Sequence, residues 1–131
     1  LIRKKVEKID LKFFQDLVDG DLLFIDSSHI IRPQGDVLYE YLSIIPSLPK
    51  GIFVHIHDIF SPHNYKEEWI KNRILFWNEQ YLLEALLSKS SSFEVVASLN
   101  LLIKNNYDEL KKVCPYITKE REPGSFYFRT I

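Results

Sequence analysis

Two short segments hold the side chains best suited to chemistry: Asp26-Ser27-Ser28-His29 and His55-Ile56-His57-Asp58. Each ends an apolar run, Leu22-Leu23-Phe24-Ile25 in the first case and Ile52-Phe53-Val54 in the second. In open α/β sheets, ligands sit outside the carboxyl ends of the strands. If these runs are neighbouring strands, Asp26, His29, His57 and Asp58 converge on one crevice. Two carboxylates and two imidazoles there can hold a hard divalent cation through oxygen, or take a proton from a hydroxyl. Four titratable groups at two adjacent strand ends exceed what turns require. An Asp after a strand also serves as a turn residue or N-cap, and that alternative stays open for Asp58 more than for Asp26. His55, in mid-strand on the side of Phe53 and His57, is expected to be buried and hydrogen-bonded. His63, in a loop with Pro62, is expected to be exposed. Ser27 and Ser28 make a poor case for a serine nucleophile, because sequence neighbours of a histidine rarely reach the needed geometry.

The elements that must position these groups follow from periodicity. Asp10 is placed to cap a helix carrying Phe13, Phe14, Leu17 and Val18, with Gly20 ending it. The continuous run Leu22–Ile25 fits a strand buried on both faces. Asp36 is placed to cap a helix whose stripe is Val37, Leu38, Tyr41, Leu42 and Ile45, stopped by Pro46 and Pro49. Residues 52–56 form the second strand. A long helix is predicted over 67–87, with Trp69, Ile70, Ile74, Trp77, Tyr81, Leu82 and Leu86 as its apolar positions. Within it, Asn78-Glu79-Gln80 interrupts the pattern, as a solvated face or as the lining of a pocket. Residues 93–97 form a third strand. Leu102, Ile103, Tyr107, Leu110 and Cys114 then mark a helix closed by Pro115, with Cys114 packing as a small apolar residue. Alternation over 125–130 suits an antiparallel strand.

The 131 residues suffice for one α/β domain spanning 1–131, and 46% apolar with 14% aromatic content supplies a core. With 17 basic and 18 acidic side chains, the chain lacks the basic excess of a nucleic-acid binder. No apolar run is long enough to span a bilayer. One cysteine makes no internal disulfide, which suits a reducing, cytoplasmic setting. A chain that starts at Leu1 and holds no methionine is expected to be a piece of a longer protein. There is no Gly-x-Gly-x-x-Gly, no phosphate-binding glycine loop, no zinc spacing and no Gly-x-Ser-x-Gly elbow.

Taken in order, Leu22-Leu23-Phe24-Ile25-Asp26-Ser27-Ser28-His29, Val54-His55-Ile56-His57-Asp58-Ile59-Phe60 and Trp77-Asn78-Glu79-Gln80-Tyr81-Leu82-Leu83 resemble a known family. They are similar to the C-terminal half of a class I S-adenosylmethionine-dependent methyltransferase, in the branch of the sugar O-methyltransferases and cephalosporin hydroxylase-like proteins. The resemblance implies a Rossmann-like three-layer α/β sandwich with a mostly parallel sheet. Its last strand, antiparallel, would insert between the two before it. It also implies O-methylation of a small hydroxylated metabolite or sugar, with Asp26 as a cofactor-binding residue. His29 and Asp58 would be catalytic, with His29 as the base. Asp26, His57 and Asp58 would hold magnesium or another divalent cation. His57 stands where several relatives carry an acid, and imidazole suits magnesium less well than oxygen does.

The family's glycine-rich turn and the acid that holds the cofactor ribose are not in this sequence. The activity is therefore expected of a longer parent, with the fragment alone inactive. The strand that would flank Leu22–Ile25 is also missing, so that edge is expected either to pair with a second copy as a homodimer or to be covered by the missing half of the parent. The expected partner is otherwise a small-molecule substrate, with no nucleic acid and no membrane. From the residues alone, a non-catalytic α/β module serving assembly or ligand binding remains the alternative.

Overall fold

In the computed structural model, which describes residues 1–131, the chain alternates helices and strands. A short 3-10 turn at Val6–Lys8 leads into Leu11–Gln15 (α1), capped by the Asp10 side chain, which accepts from the Lys12 N–H. Leu22–Ile25 (β1) follows. Asp36–Tyr39 (α2) continues through a π-helical turn, Glu40–Ile44, into Ile45–Ser47 (α3). Phe53–His57 (β2) comes next, then Glu67–Lys71 (α4) and Glu79–Leu87 (α5). Phe93–Ser98 (β3), Leu99–Asn105 (α6), Tyr107–Val113 (α7) and Ser125–Thr130 (β4) complete the chain.

The sheet order is β1-β2-β4-β3. β1 and β2 are parallel, with Leu22 opposite Phe53 and Ile25 opposite Ile56. β4 runs antiparallel to both β2 and β3, so it alone is reversed. The fold class is therefore α/β with a mixed sheet. Gly51 makes the turn into β2. Its φ is +84°, and a Cβ there would run into the Asp19 carboxylate, so only glycine fits.

One face of the sheet is well covered. Ile25, Val54, Ile56, Phe126 and Phe128 pack there against Val37, Tyr41, Ile45, Ile59 and Leu83. Full burial of such a side chain contributes about 1.5–3 kcal/mol, which makes this face the main source of stability. The other face carries a row of rings, of which His55 and Tyr127 are stacked. His55 lies 4.1 Å from Tyr127 and 4.8 Å from Phe24, centroid to centroid. Leu22 is 54% exposed and Phe24 52%. The helices of this chain thus build no covering layer over β1 on that side, where a three-layer sandwich would have one. Burial of β1 on both faces does not occur, because the run alternates between covered Ile25 and open Phe24.

Three other expectations are corrected. The helix predicted over 67–87 is two helices, and the segment between α4 and α5 takes a left-handed residue at Ile74, φ 55°. The break is set by tertiary hydrogen bonds, since the Asn78 and Glu79 N–H groups donate to the His29 carbonyl rather than to the preceding turn. The helix expected through Cys114 is divided into α6 and α7 at Asn106, and Cys114 is exposed rather than packed. Asp36 does not cap α2. Gly35 holds the N-cap position, and the Asp36 carboxylate binds the Ser28 N–H and hydroxyl instead. No helix is long and apolar enough to cross a membrane.

Candidate active site

The carboxyl ends of parallel β1 and β2 lie side by side, and each continues into a residue with left-handed backbone: His29, φ 59°, after β1, and Asp58, φ 57°, after β2. Histidine, asparagine and aspartate tolerate this conformation better than other non-glycine residues. Four titratable side chains meet at this rim. His29 Nε2 is 3.4 Å from Asp26 Oδ1 and 4.0 Å from Asp58 Oδ2. His57 Nδ1 is 3.4 Å from Asp58 Oδ1 and 3.6 Å from Asp26 Oδ1. Gly124 lets the chain entering β4 press against this rim, since a Cβ there would sit 2.9 Å from the Asp58 Cα and from the Phe60 ring.

His29 is the best anchored of the four. Its Nδ1 is 2.7 Å from Glu79 Oε2, and the other oxygen of Glu79 accepts from the Tyr41 hydroxyl at 2.9 Å. Glu79 and Tyr41 are fully buried. Because the carboxylate accepts at both oxygens, the ring proton belongs on Nδ1, and Nε2 of the neutral ring carries the lone pair that faces the rim. The Trp77 ring lies 4.3 Å from the imidazole. The His29 carbonyl holds the start of α5, and Asn78 Oδ1 accepts from the Ile31 N–H at 2.6 Å. Burial pulls the His29 pKa down. The Glu79 hydrogen bond and charge, with Asp58 and Asp26, outweigh it, and the net displacement is upward from 6.5. Burial, followed by the Glu79 charge, pushes the Tyr41 hydroxyl well above its ordinary value, so it stays a donor.

Behind His29 lies a second carboxyl, Glu40, at the start of the π-helical turn. It is 6% exposed, and its Oε2 has no hydrogen-bond partner. Burial is the main cause that pushes it up to about 7. The Glu79 and Asp36 charges add to this, while the Ser27 hydroxyl and His29 oppose it. Asp36 moves the other way: burial would raise it, but its bonds from the Ser28 hydroxyl and the Ser28 and Val37 N–H groups hold it low.

No family model, curated protein or solved structure matches this chain. The chemistry of the rim therefore rests on its own geometry. The sequence placed Asp26, His29, His57 and Asp58 at the two strand ends, and the structure brings all four together. It missed Glu79, Tyr41 and Glu40. The polar break at Asn78-Glu79-Gln80 was the signal for the first. The break is neither a solvated face nor a simple lining, because Glu79 and Gln80 are almost wholly buried. Gln80 accepts from the Phe60 N–H and donates to the His63 carbonyl, which fixes the loop after β2.

His55 is not a buried, hydrogen-bonded histidine: it lies on the open face, stacked on Tyr127, and its Nε2 has no partner. His63 is only partly exposed. A cavity of 770 Å³ between Leu99, Leu110 and Pro123 shares no residue with the rim.

The fit of a divalent cation follows from the donor set. The Nδ1 of His57 is buried and unpartnered, flanked by two carboxylates. As they stand, no three His, Cys, Asp or Glu side chains are arranged to hold an ion. Asp26 and Asp58 would have to turn toward His57 to close on one.

Proposed function

We propose that this rim is the acid–base centre of an S-adenosylmethionine-dependent methyltransferase on a Rossmann-like scaffold, acting on an oxygen of a small hydroxylated metabolite or sugar. The observation that carries the proposal is the Glu79–His29 pair, which fixes a ring nitrogen at the mouth of two parallel strands. His29 Nε2 takes the proton of a substrate hydroxyl, and Glu79 supports the positive charge that the ring gains. Asp58 and Asp26 hold the hydroxyl and the cation that forms. S-adenosylmethionine, when bound, supplies a methyl group on a positively charged sulfur. Asp26, half exposed, suits its amino or hydroxyl groups. No strand of this chain runs into a glycine-rich turn, so the remainder of that molecule is not cradled by these residues. The proposed setting is the cytoplasm, where the exposed Cys114 thiol stays reduced.

The test, run on the longer parent that the resemblance implies, is transfer of labelled methyl to a panel of hydroxylated acceptors, with His29→Asn and Asp58→Asn as variants. Asparagine keeps the left-handed backbone at both positions. Asp58→Asn removes only the charge, while His29→Asn also takes the partner from Glu79 Oε2, so its folding is checked by circular dichroism before turnover is compared. Turnover is expected to fall at least about tenfold in each. Undiminished turnover in both removes the rim from catalysis, and no binding of S-adenosylmethionine by calorimetry removes the cofactor and leaves a ligand-binding module.

A divalent cation at Asp26, His57 and Asp58 belongs to the same proposal. Because one donor is an imidazole, manganese or zinc is expected to raise the melting temperature more than magnesium does. Asp58→Asn should abolish the rise. Melting curves unchanged by every metal would remove the ion.

The proposal extends to a homodimer through β1, an edge strand whose Leu22 and Phe24 are open to solvent. Phe24→Lys is expected to convert the dimer to monomer in sedimentation. A wild-type chain that stays monomeric at high concentration excludes the pairing.

A further inference from the structure

Away from the rim, a cavity of 770 Å³ lies between α6, α7 and the segment 114–124 that leads to β4. That segment is tied to α7. The Ile117 carbonyl accepts from the Tyr107 hydroxyl at 3.2 Å and from Lys111 Nζ at 2.6 Å. Leu99, Leu110, Ile117 and Pro123 give the cavity an apolar wall, with Cys114 and Tyr116 beside them. The volume falls within the range of small-molecule sites, whose linings are mostly apolar. An apolar ligand body is favoured there, because its contact removes apolar surface from water on both sides.

The charged part of the wall selects the head group. Four side chains contribute: Lys66, Glu120, Arg121 and Glu122. Three are already engaged. Glu122 is 3.6 Å from Lys66 and 3.9 Å from Lys104, and Lys66 also lies over the Phe60 and Trp69 rings. Glu120 accepts from the Thr118 side chain and from its own N–H. Arg121 alone has neither an ion pair nor a side-chain hydrogen bond. A free guanidinium beside an apolar wall suits a carboxylate, whose two oxygens match its planar fork. Glu120 and Glu122 stand on the same wall, so a doubly charged phosphate is repelled more than a single carboxylate is.

We propose that this cavity binds a monocarboxylate with an apolar chain, the chain against Leu99, Leu110 and Ile117 and the carboxylate on Arg121. The site is separate from the rim and stands without the methyl-transfer proposal. Cys114 makes the test local, because it lies on the wall, is exposed and is the only cysteine of the chain. The experiment follows the rate at which iodoacetamide alkylates Cys114 in the whole chain. The added probes are decanoate, decanol, decyltrimethylammonium, decyl phosphate and acetate, each below micelle formation. Decanoate is expected to slow alkylation saturably. Decanol and decyl phosphate should need at least about tenfold more for the same protection, and acetate and decyltrimethylammonium should give none. Arg121→Ala, at an exposed position on which the fold does not lean, should bring decanoate to the level of decanol. Arg121→Lys should restore part of the difference. No saturable protection by decanoate overturns the proposal. So does protection by decanol, decyl phosphate or decyltrimethylammonium at equal concentration, or decanoate protection unchanged in Arg121→Ala.

Discussion

Replacing Glu79 by alanine should cost about 3–5 kcal/mol in urea unfolding, enough to leave the chain barely folded. Both oxygens of this carboxylate are in use, one at His29 Nδ1 and one at the Tyr41 hydroxyl, with no solvent to replace them. Alanine leaves a buried imidazole and a buried phenol without a partner and opens a cavity beside Leu83. Glutamine separates charge from volume. It fills the space and can serve one partner, but it cannot accept at both ends. Glu79→Gln is therefore expected to fold, at a cost of about 1–3 kcal/mol. It should also lower the pKa of His29, because burial would then act with less opposition. In the methyl-transfer assay its pH profile should move to lower pH and its plateau should fall. An alanine variant as stable as the wild type would show that the pair is not structural. A glutamine variant with an unmoved pH profile would show that Glu79 does not tune the base.

The second large effect is a pH-dependent gain of stability in Glu40→Gln. In the folded chain the Glu40 carboxyl titrates at about 7, whereas the ordinary value is 4.5. Folding therefore takes up a proton between these two values. The favourable contribution is complete below about pH 4.5 and is lost as pH rises through 7. The interval corresponds to about 3 kcal/mol at most. Glutamine cannot ionise and escapes that loss. The two proteins should unfold alike near pH 4.5, and the variant should be more stable by about 2–3 kcal/mol above pH 8. Using the difference between the two proteins cancels the other titrating groups. A stability difference that stays constant from pH 4.5 to 8.5 would show that the carboxyl is ionised throughout.

How far the sequence carried depended on the range over which each feature is decided. β1 and β4 lie where a continuous apolar run and a strict alternation placed them, because strand patterning is local. The rim was legible for the same reason: its residues directly follow two apolar runs. Glu79 was not, since its partners stand 50 and 38 positions away and only the folded chain brings them near. The break after α4 escaped for a related reason. Trp69, Ile70, Ile74 and Trp77 satisfy helical spacing, and only the His29 carbonyl, distant in sequence, draws the backbone out of the helix. Open Phe24 shows the converse limit. An apolar run predicts a preference for burial, but it cannot supply the layer that would cover it.

One helix ties the whole rim together. Through Glu79, α5 grips the turn after β1; through Gln80 and through Glu84, which accepts from the Ser61 hydroxyl, it grips the turn after β2. These two turns therefore cannot breathe independently. Whatever lifts α5 slackens both at once, and whatever settles between them steadies a helix that it never touches. Hydrogen exchange is therefore expected to expose the turn after β1 and the turn after β2 together with α5, as one unit.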